Sequence, residues 1–249
     1  MKNNSKYIVT YLISISILLS SDIGKCNICY GDIYEDYFKD AWGNIYHKEH
    51  QKSAKFCDSC YRVVSVAITN GGYYLPDNRL ICNLCYQSSI NTINYAQVNL
   101  VTMIDYLSKN GINIDINLVK LNLIYKHEVN LVDKNHIDYK GFTYINQDEK
   151  NNVFNIFILK GLPIQEFNAT VAHELMHIWI SKNNIVLDIE LEEYYCNLIS
   201  KDIYSYYDDD FSRIKMKSID LHLSKNKFYN QFNKQKYLIN DIVEHINER

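Results

Sequence analysis

The spacing of hydrophobic and polar positions changes several times along the chain, and each change predicts an element. Residues 7–20 form an uncharged, mainly apolar run. From Tyr61 to Ile68 apolar and polar residues mix as in a strand, and Asn70-Gly71-Gly72 predicts a hairpin turn into Tyr73-Tyr74-Leu75. Val98, Val101 and Tyr106 fall at helical spacing and predict a helix over 98–107. Apolar runs predict strands over 118–125 and 153–159, which would form a small sheet beside the next helix. Gly161-Leu162-Pro163 interrupts the chain. A helix is then expected to start at Asn168 or Thr170, both competent N-caps, with Val171, Leu175, Ile178 and Trp179 as its buried stripe. Asn183-Asn184 ends it, and a second helix is expected over 189–200. Asp208-Asp209-Asp210 reads as a solvated loop. Residues 226–247 predict a terminal amphipathic helix with Phe228, Phe232, Ile239, Ile242, Val243 and Ile246 turned inward.

The first apolar run has its own meaning. Lys2 and Lys6 precede it, and Ser20 and Ser21 follow it. A positive start, a short apolar stretch and a small-residue exit describe a secretory signal peptide over 1–21. The run is shorter than the roughly 20 residues of a bilayer span. An uncleaved anchor or a buried first helix is the alternative. The expected location is therefore exported, whether periplasmic, secreted or membrane-anchored, with membrane contact only if residues 7–20 are retained.

Composition adds one informative number. The chain has 249 residues, 47% hydrophobic, with a formal net charge of -3, which argues against a generic nucleic-acid binder. Six of its seven cysteines form Cys-x-x-Cys pairs, at Cys26/Cys29, Cys57/Cys60 and Cys82/Cys85. His47 and His50 repeat the same gap. Eight ligands suit two tetrahedral zinc sites, partitioned in chain order: Cys26, Cys29, His47 and His50, then Cys57, Cys60, Cys82 and Cys85. So small a module has little core, and each structural zinc would supply on the order of 10 kcal/mol of folding energy. An exported chain favours disulfides over free thiols, so a disulfide-stapled module is the competing reading. Two-residue gaps between ligands favour metal.

The chemistry is expected elsewhere, at His173-Glu174-Leu175-Met176-His177. Histidines at i and i+4 share a helical face and can both reach one zinc, with Glu174 beside them as the base. A catalytic zinc needs a third protein ligand and an open position. The second helix offers Glu192 and Glu193. Glu193 is favoured, with Asn197 expected to orient a ligand histidine. The bland alternatives are ordinary core or surface histidines, and acids that only complement a helix N-terminus. Glu174 would take a proton from zinc-activated water and pass it to the leaving amine. Tyr194, Tyr195 and His136 are candidate oxyanion donors. Cys196 reads as a small buried hydrophobe. Val153–Ile158 is the expected edge strand for extended substrate.

Taken together, Gly161-Leu162-Pro163, Ala172-His173-Glu174-Leu175-Met176-His177-Ile178-Trp179 and Glu190-Leu191-Glu192-Glu193-Tyr194-Tyr195-Cys196-Asn197, preceded by zinc knuckles, resemble the DA-one family of LIM-domain zinc peptidases. The resemblance runs with interruptions from about residue 26 to 200. It implies a zinc endopeptidase in which His173 and His177 bind metal, Glu174 is the base and a Glu of the acidic pair completes the site. His47 stands where the family usually has Cys, and Tyr194 where it has Gly, which could narrow the cleft. The family's ubiquitin-interacting motifs have no counterpart here, so ubiquitin regulation does not carry over. The expected fold is α+β: a LIM-like two-zinc module over 25–90, then a mainly helical, zincin-like peptidase domain with a small sheet over 91–249. One catalytic and two structural zinc ions are implied, with a protein or peptide substrate, no nucleic acid, and a possible protein partner for the LIM-like module. The competing class is a zinc-stabilised interaction protein with an inactive peptidase domain.

Overall fold

A computed structural model describes residues 24–34, 36–132, 140–148, 151–229 and 239–247. The expected leader over 1–21 lies outside them, and no helix among them is long and apolar enough to cross a membrane. The chain falls into two units: residues up to Tyr73 with Leu80–Leu84, and Tyr74–Arg79 with Cys85 onward.

In the first unit two cysteine knuckles share one backbone geometry. The residue after each second cysteine is left-handed, Tyr30 at φ 62° and Tyr61 at φ 60°. Each tyrosine amide donates to the first cysteine's carbonyl at 2.9 Å, Tyr30 to Cys26 and Tyr61 to Cys57. Each first-cysteine amide donates five residues onward, Cys26 to Gly31 at 2.8 Å and Cys57 to Arg62 at 2.9 Å. Positive φ is uncommon for a bulky residue; here it closes a tight loop that turns both sulfurs to one side. Strands β1 (Tyr37–Lys39) and β2 (Ile45–His47) form a hairpin, with Phe38 opposite Tyr46. Asp40 closes its turn by accepting from the amides of Trp42 and Asn44, both at 2.9 Å. Helix α1 (Lys48–Ser53) follows and carries His50. Cys26, Ile33, Tyr46 and Val63 make a small core.

The expected strand over Tyr61–Ile68 is not formed. Val63 makes one bridge to Phe56, and Val66–Thr69 is a helical turn, α2, capped by the Ser65 hydroxyl accepting from the Ile68 amide at 3.1 Å. Asn70 and Gly71, at φ 56° and 87°, end that turn rather than joining two strands. β3 (Gly72–Tyr74) pairs instead with β4 (Leu80–Cys82), and α3 (Asn83–Tyr86) follows.

The second unit is built on a long helix and a three-stranded sheet. β5 (Ser89–Ile90) pairs antiparallel with β9 (Leu162–Pro163). α4 (Ile93–Lys109) starts before the expected 98–107 because Thr92 caps it. In the sheet, β8 (Asn151–Leu159) is central, parallel to β6 (Val119–Ile124) and antiparallel to β7 (Gly141–Asp148). α5 (Lys126–Val132) follows β6. The expected edge strand Val153–Ile158 is therefore a core strand, with Phe154, Ile156 and Ile158 buried, and among the described residues β6 and β7 hold the two edges.

α6 (Ile164–Lys182) begins directly after Pro163. Asn168 and Thr170 are inside it, not N-caps: Asn168 donates to the Tyr207 hydroxyl at 2.6 Å, and Thr170 donates back to the Glu166 carbonyl at 2.7 Å. α7 (Ile189–Tyr206) runs past Ser200, capped by Asp188. Asp208–Asp210 is not simply a solvated loop, because Asp209 caps α8 (Asp210–Leu223) through the Ser212 amide at 2.7 Å. Of the expected terminal helix, α9 (Ile239–Asn247) is described, with Ile239, Ile242 and Ile246 buried; Phe232 lies outside the described residues.

Glu166, fully buried, ties these elements together. One of its oxygens accepts from Lys140, just before β7, and from Lys215 on α8 at 2.5 Å. Burial pushes its carboxyl pKa up, but the two lysine charges outweigh that and hold it below the usual range. A depressed carboxyl stabilises the fold above its unfolded pKa and loses that contribution as pH falls through the folded value. Glu166→Gln leaves Lys215 buried without its charge partner and should cost about 3–5 kcal/mol in urea unfolding at neutral pH, with the difference shrinking in acid. Arg213→Ala, which removes exposed pairs with Asp208 and Asp210, should cost less than about 1 kcal/mol. Equal losses would show that the buried cluster is not a tie.

Candidate metal centre

α6 is buried on nearly every side, and Val171, Leu175, Ile178 and Trp179 hold it among α4, α7, β7 and β8. Its i, i+4 spacing brings His173 and His177 together, with their Nε2 atoms 3.2 Å apart. α7 packs against this face and places two adjacent carboxylates differently. Glu193 lies 3.5 Å from each Nε2, one oxygen toward each ring. Glu192 accepts the Nδ1–H of His177 at 2.7 Å. With its proton on Nδ1, His177 points a lone pair from Nε2 toward His173 and Glu193. The Nδ1 of His173 faces the Ser200 hydroxyl at 3.5 Å. Two imidazole nitrogens and a carboxylate converging on one point, with the far ring nitrogen of one histidine held by a second carboxylate, are a donor set that fits zinc.

Burial lowers the His177 pKa, but the Glu192 hydrogen bond and the charges of Glu174 and Glu193 raise it overall. Burial likewise pushes Glu193 up, and its hydrogen bond with His173 and the histidine charges bring it down. Glu174 is almost completely buried, and its Oε2 accepts from the Thr143 hydroxyl on β7 at 2.8 Å. β7 reaches this position because residue 141 is glycine: a Cβ there would lie 2.5 Å from Ile158 and 2.7 Å from Thr170. A cavity of about 440 Å³ opens over His173, Glu174, His177, Glu192 and Glu193, walled by β7 and by apolar Phe142, Phe154, Ile178 and Ile185.

Comparison with known families settles the chain's kinship. The model of the DA1-like family, described as Protein DA1, matches residues 110–244, more than half the chain. The chain belongs to the DA1-like family. The match takes in α6 and α7 with all of the residues just described, and it begins after the cysteine knuckles. No curated protein and no solved structure matches.

Several expectations change in this DA1-like chain. Asn197 does not orient a histidine; its amide donates to the Glu193 carbonyl one turn back at 2.7 Å. Glu192 takes that role for His177. Tyr194 and Tyr195 are buried and do not line the cavity, so neither is placed to meet an oxyanion or to narrow the cleft; His136 lies outside the described residues. Cys196 is fully buried, as expected, but its sulfur is within 4.8 Å of donor nitrogens of both histidines. Burial, with the nearby carboxylates, pushes its thiol pKa far up, so Glu193 is the better-prepared ligand. Thr143 and Ser200 were missed. Thr143 sits in Phe142-Thr143-Tyr144-Ile145, an alternating stretch that could have announced β7.

The knuckle residues of the DA1-like chain gather into the two expected groups. Cys26, Cys29, His47 and His50 offer ligand atoms within 4.8 Å of one another, as do Cys57, Cys60, Cys82 and Cys85. None of the seven cysteines is in a disulfide. His47 donates from Nε2 to the Asp32 carbonyl at 3.0 Å, leaving Nδ1 toward the Cys29 sulfur at 3.5 Å. The buried Nε2 of His50 has no hydrogen-bond partner among the described residues, as a ligand atom would not. Blocking the knuckle thiols with a mercurial should release metal in step with modification, and Cys196→Ser should leave the amount released unchanged. Full modification of six thiols with no metal released would remove the assignment.

Proposed function

We propose that this chain is a zinc-dependent endopeptidase. The observation that carries the reading is the meeting of His173, His177 and Glu193 in one cavity with a buried, hydrogen-bonded Glu174. His173 and His177 through Nε2, with Glu193, would hold the catalytic zinc, which would supply Lewis acidity toward a peptide carbonyl and an acidified water. Glu174 accepts the water proton and delivers it to the leaving amine. Thr143 donates to one oxygen of that carboxylate and so fixes its orientation in the cavity lining. Glu192 fixes the ring of His177. β7, the sheet edge beside the cavity, takes the place first given to Val153–Ile158 and offers its backbone to an extended substrate. The apolar wall suits a hydrophobic substrate side chain.

The two knuckle groups support a LIM-like module with two structural zinc ions, built on closed four-ligand sites, that serves a protein partner. The uncharged apolar run over 7–20, read as a leader, supports an exported enzyme. Family membership and the resemblance of the HExxH and Glu-Glu segments support the peptidase reading.

Zinc-loaded protein should cleave a reduced, unfolded protein substrate. Glu174→Gln should lower kcat/KM by roughly 10²–10⁴-fold with metal content unchanged. Undiminished cleavage by Glu174→Gln would contradict the mechanism. A zinc-loaded wild type with no cleavage of any unfolded substrate would leave the interaction protein in its place. Thr143→Val should lower kcat about tenfold with little change in KM, and Thr143→Ser should restore it; equal activity in all three would show that the hydrogen bond does not position Glu174.

A further inference from the structure

A groove of the second unit lies away from the candidate metal centre, on the other edge of the same sheet. It has a volume of about 860 Å³ and runs between α4 and β6. All six residues of β6, Val119 to Ile124, line it, so it follows the strand for about 20 Å. β6 pairs with β8 on one side and, among the described residues, with no strand on the other. That free side carries backbone donors and acceptors open to another strand. Apolar side chains border it: Ile93 and Val101 on α4 and Ile116 beside β6 are each more than 40% exposed.

The charge is one-sided. Lys120 and Lys160 line the groove, and no acidic residue does. Lys160 lies 4.8 Å over the Tyr125 ring, and neither lysine has an ion pair among the described residues. The chain as a whole is acidic, with net charge -3, so this basic lining is local. It also argues against a second copy of the chain, because β6-to-β6 pairing would bring four lysines together with no acid to meet them.

We propose that this groove binds an extended acidic segment of another protein, which adds as a strand to β6. Its backbone would complete the free edge, alternate apolar side chains would lie against α4, and its carboxylates would meet Lys120 and Lys160. The site needs neither the metal nor activity, so it stands or falls separately from the proposed peptidase.

The test is fluorescence anisotropy on the full zinc-loaded chain carrying Glu174→Gln, so that no probe is cleaved. The probe is a fluorescein-labelled heptapeptide of alternating valine and glutamate. Saturable binding is expected, weakened roughly tenfold or more by Lys120→Glu with Lys160→Glu and, independently, by Val101→Trp, which fills the groove from the exposed face of α4. N-methylation of the probe's valine amides should abolish binding. Unchanged thermal unfolding of the variants would show that they fold. The proposal is overturned if the probe does not bind, if a valine–lysine peptide or the N-methylated probe binds equally well, or if the variants bind undiminished. Sedimentation showing a dimer that Lys120→Glu dissociates would likewise overturn it, in favour of a second copy.

Discussion

A buried ionisable group must be paired or it destabilises the fold, and α6 carries two buried carboxylates, Glu166 and Glu174, and two half-buried histidines, His173 and His177, into the second unit. The elements around the helix are placed to answer them. Lys140 and Lys215 answer Glu166. Thr143 on β7 answers Glu174. Glu192 and Glu193 on α7 answer the histidines. Because the partners come from three elements, the demand for pairing fixes the start of β7, the packing of α7 and the docking of α8. The groups that make the candidate site reactive are in this sense the ones that organise the unit.

The adjacent acids of α7 illustrate how position separates chemically identical side chains. Successive residues on a helix point about 100° apart, so Glu192 and Glu193 cannot address the same atom. One meets the outer nitrogen of His177, and the other faces the inner nitrogens of both rings. A protein that used only one of them would either lose the carboxylate facing the inner nitrogens or leave the His177 ring free to turn.

The centre of this arrangement was legible in the sequence and its periphery was not. His173, Glu174 and His177 follow from spacing alone, since two histidines one turn apart on a buried helix leave few alternatives. Spacing leaves Glu192 and Glu193 open, and Glu193 is favoured there through an Asn197 contact that the structure does not have. The knuckle ligands follow from their repeated two-residue gaps. What failed were features set by long-range contact. The Tyr61–Ile68 segment has strand-like composition, yet a local Ser65 cap turns it helical. Val153–Ile158 reads equally well as edge or core, and only its pairing with both β6 and β7 makes it central. Asn197 was assigned by helical spacing to a histidine, but its short side chain is satisfied by its own helix. Thr143 lies 31 residues from Glu174, and no local pattern could join them.

The central claim is that α6 and α7 together hold a metal through His173, His177 and Glu193. Crystals of the zinc-loaded chain, measured on both sides of the zinc absorption edge, test it most directly. The account expects an anomalous peak between the two Nε2 atoms and the Glu193 carboxylate, with Glu192 still on the outer nitrogen of His177. Anomalous peaks at the cysteine knuckles alone, or a zinc held by Cys196 or Glu192 in place of Glu193, would contradict it.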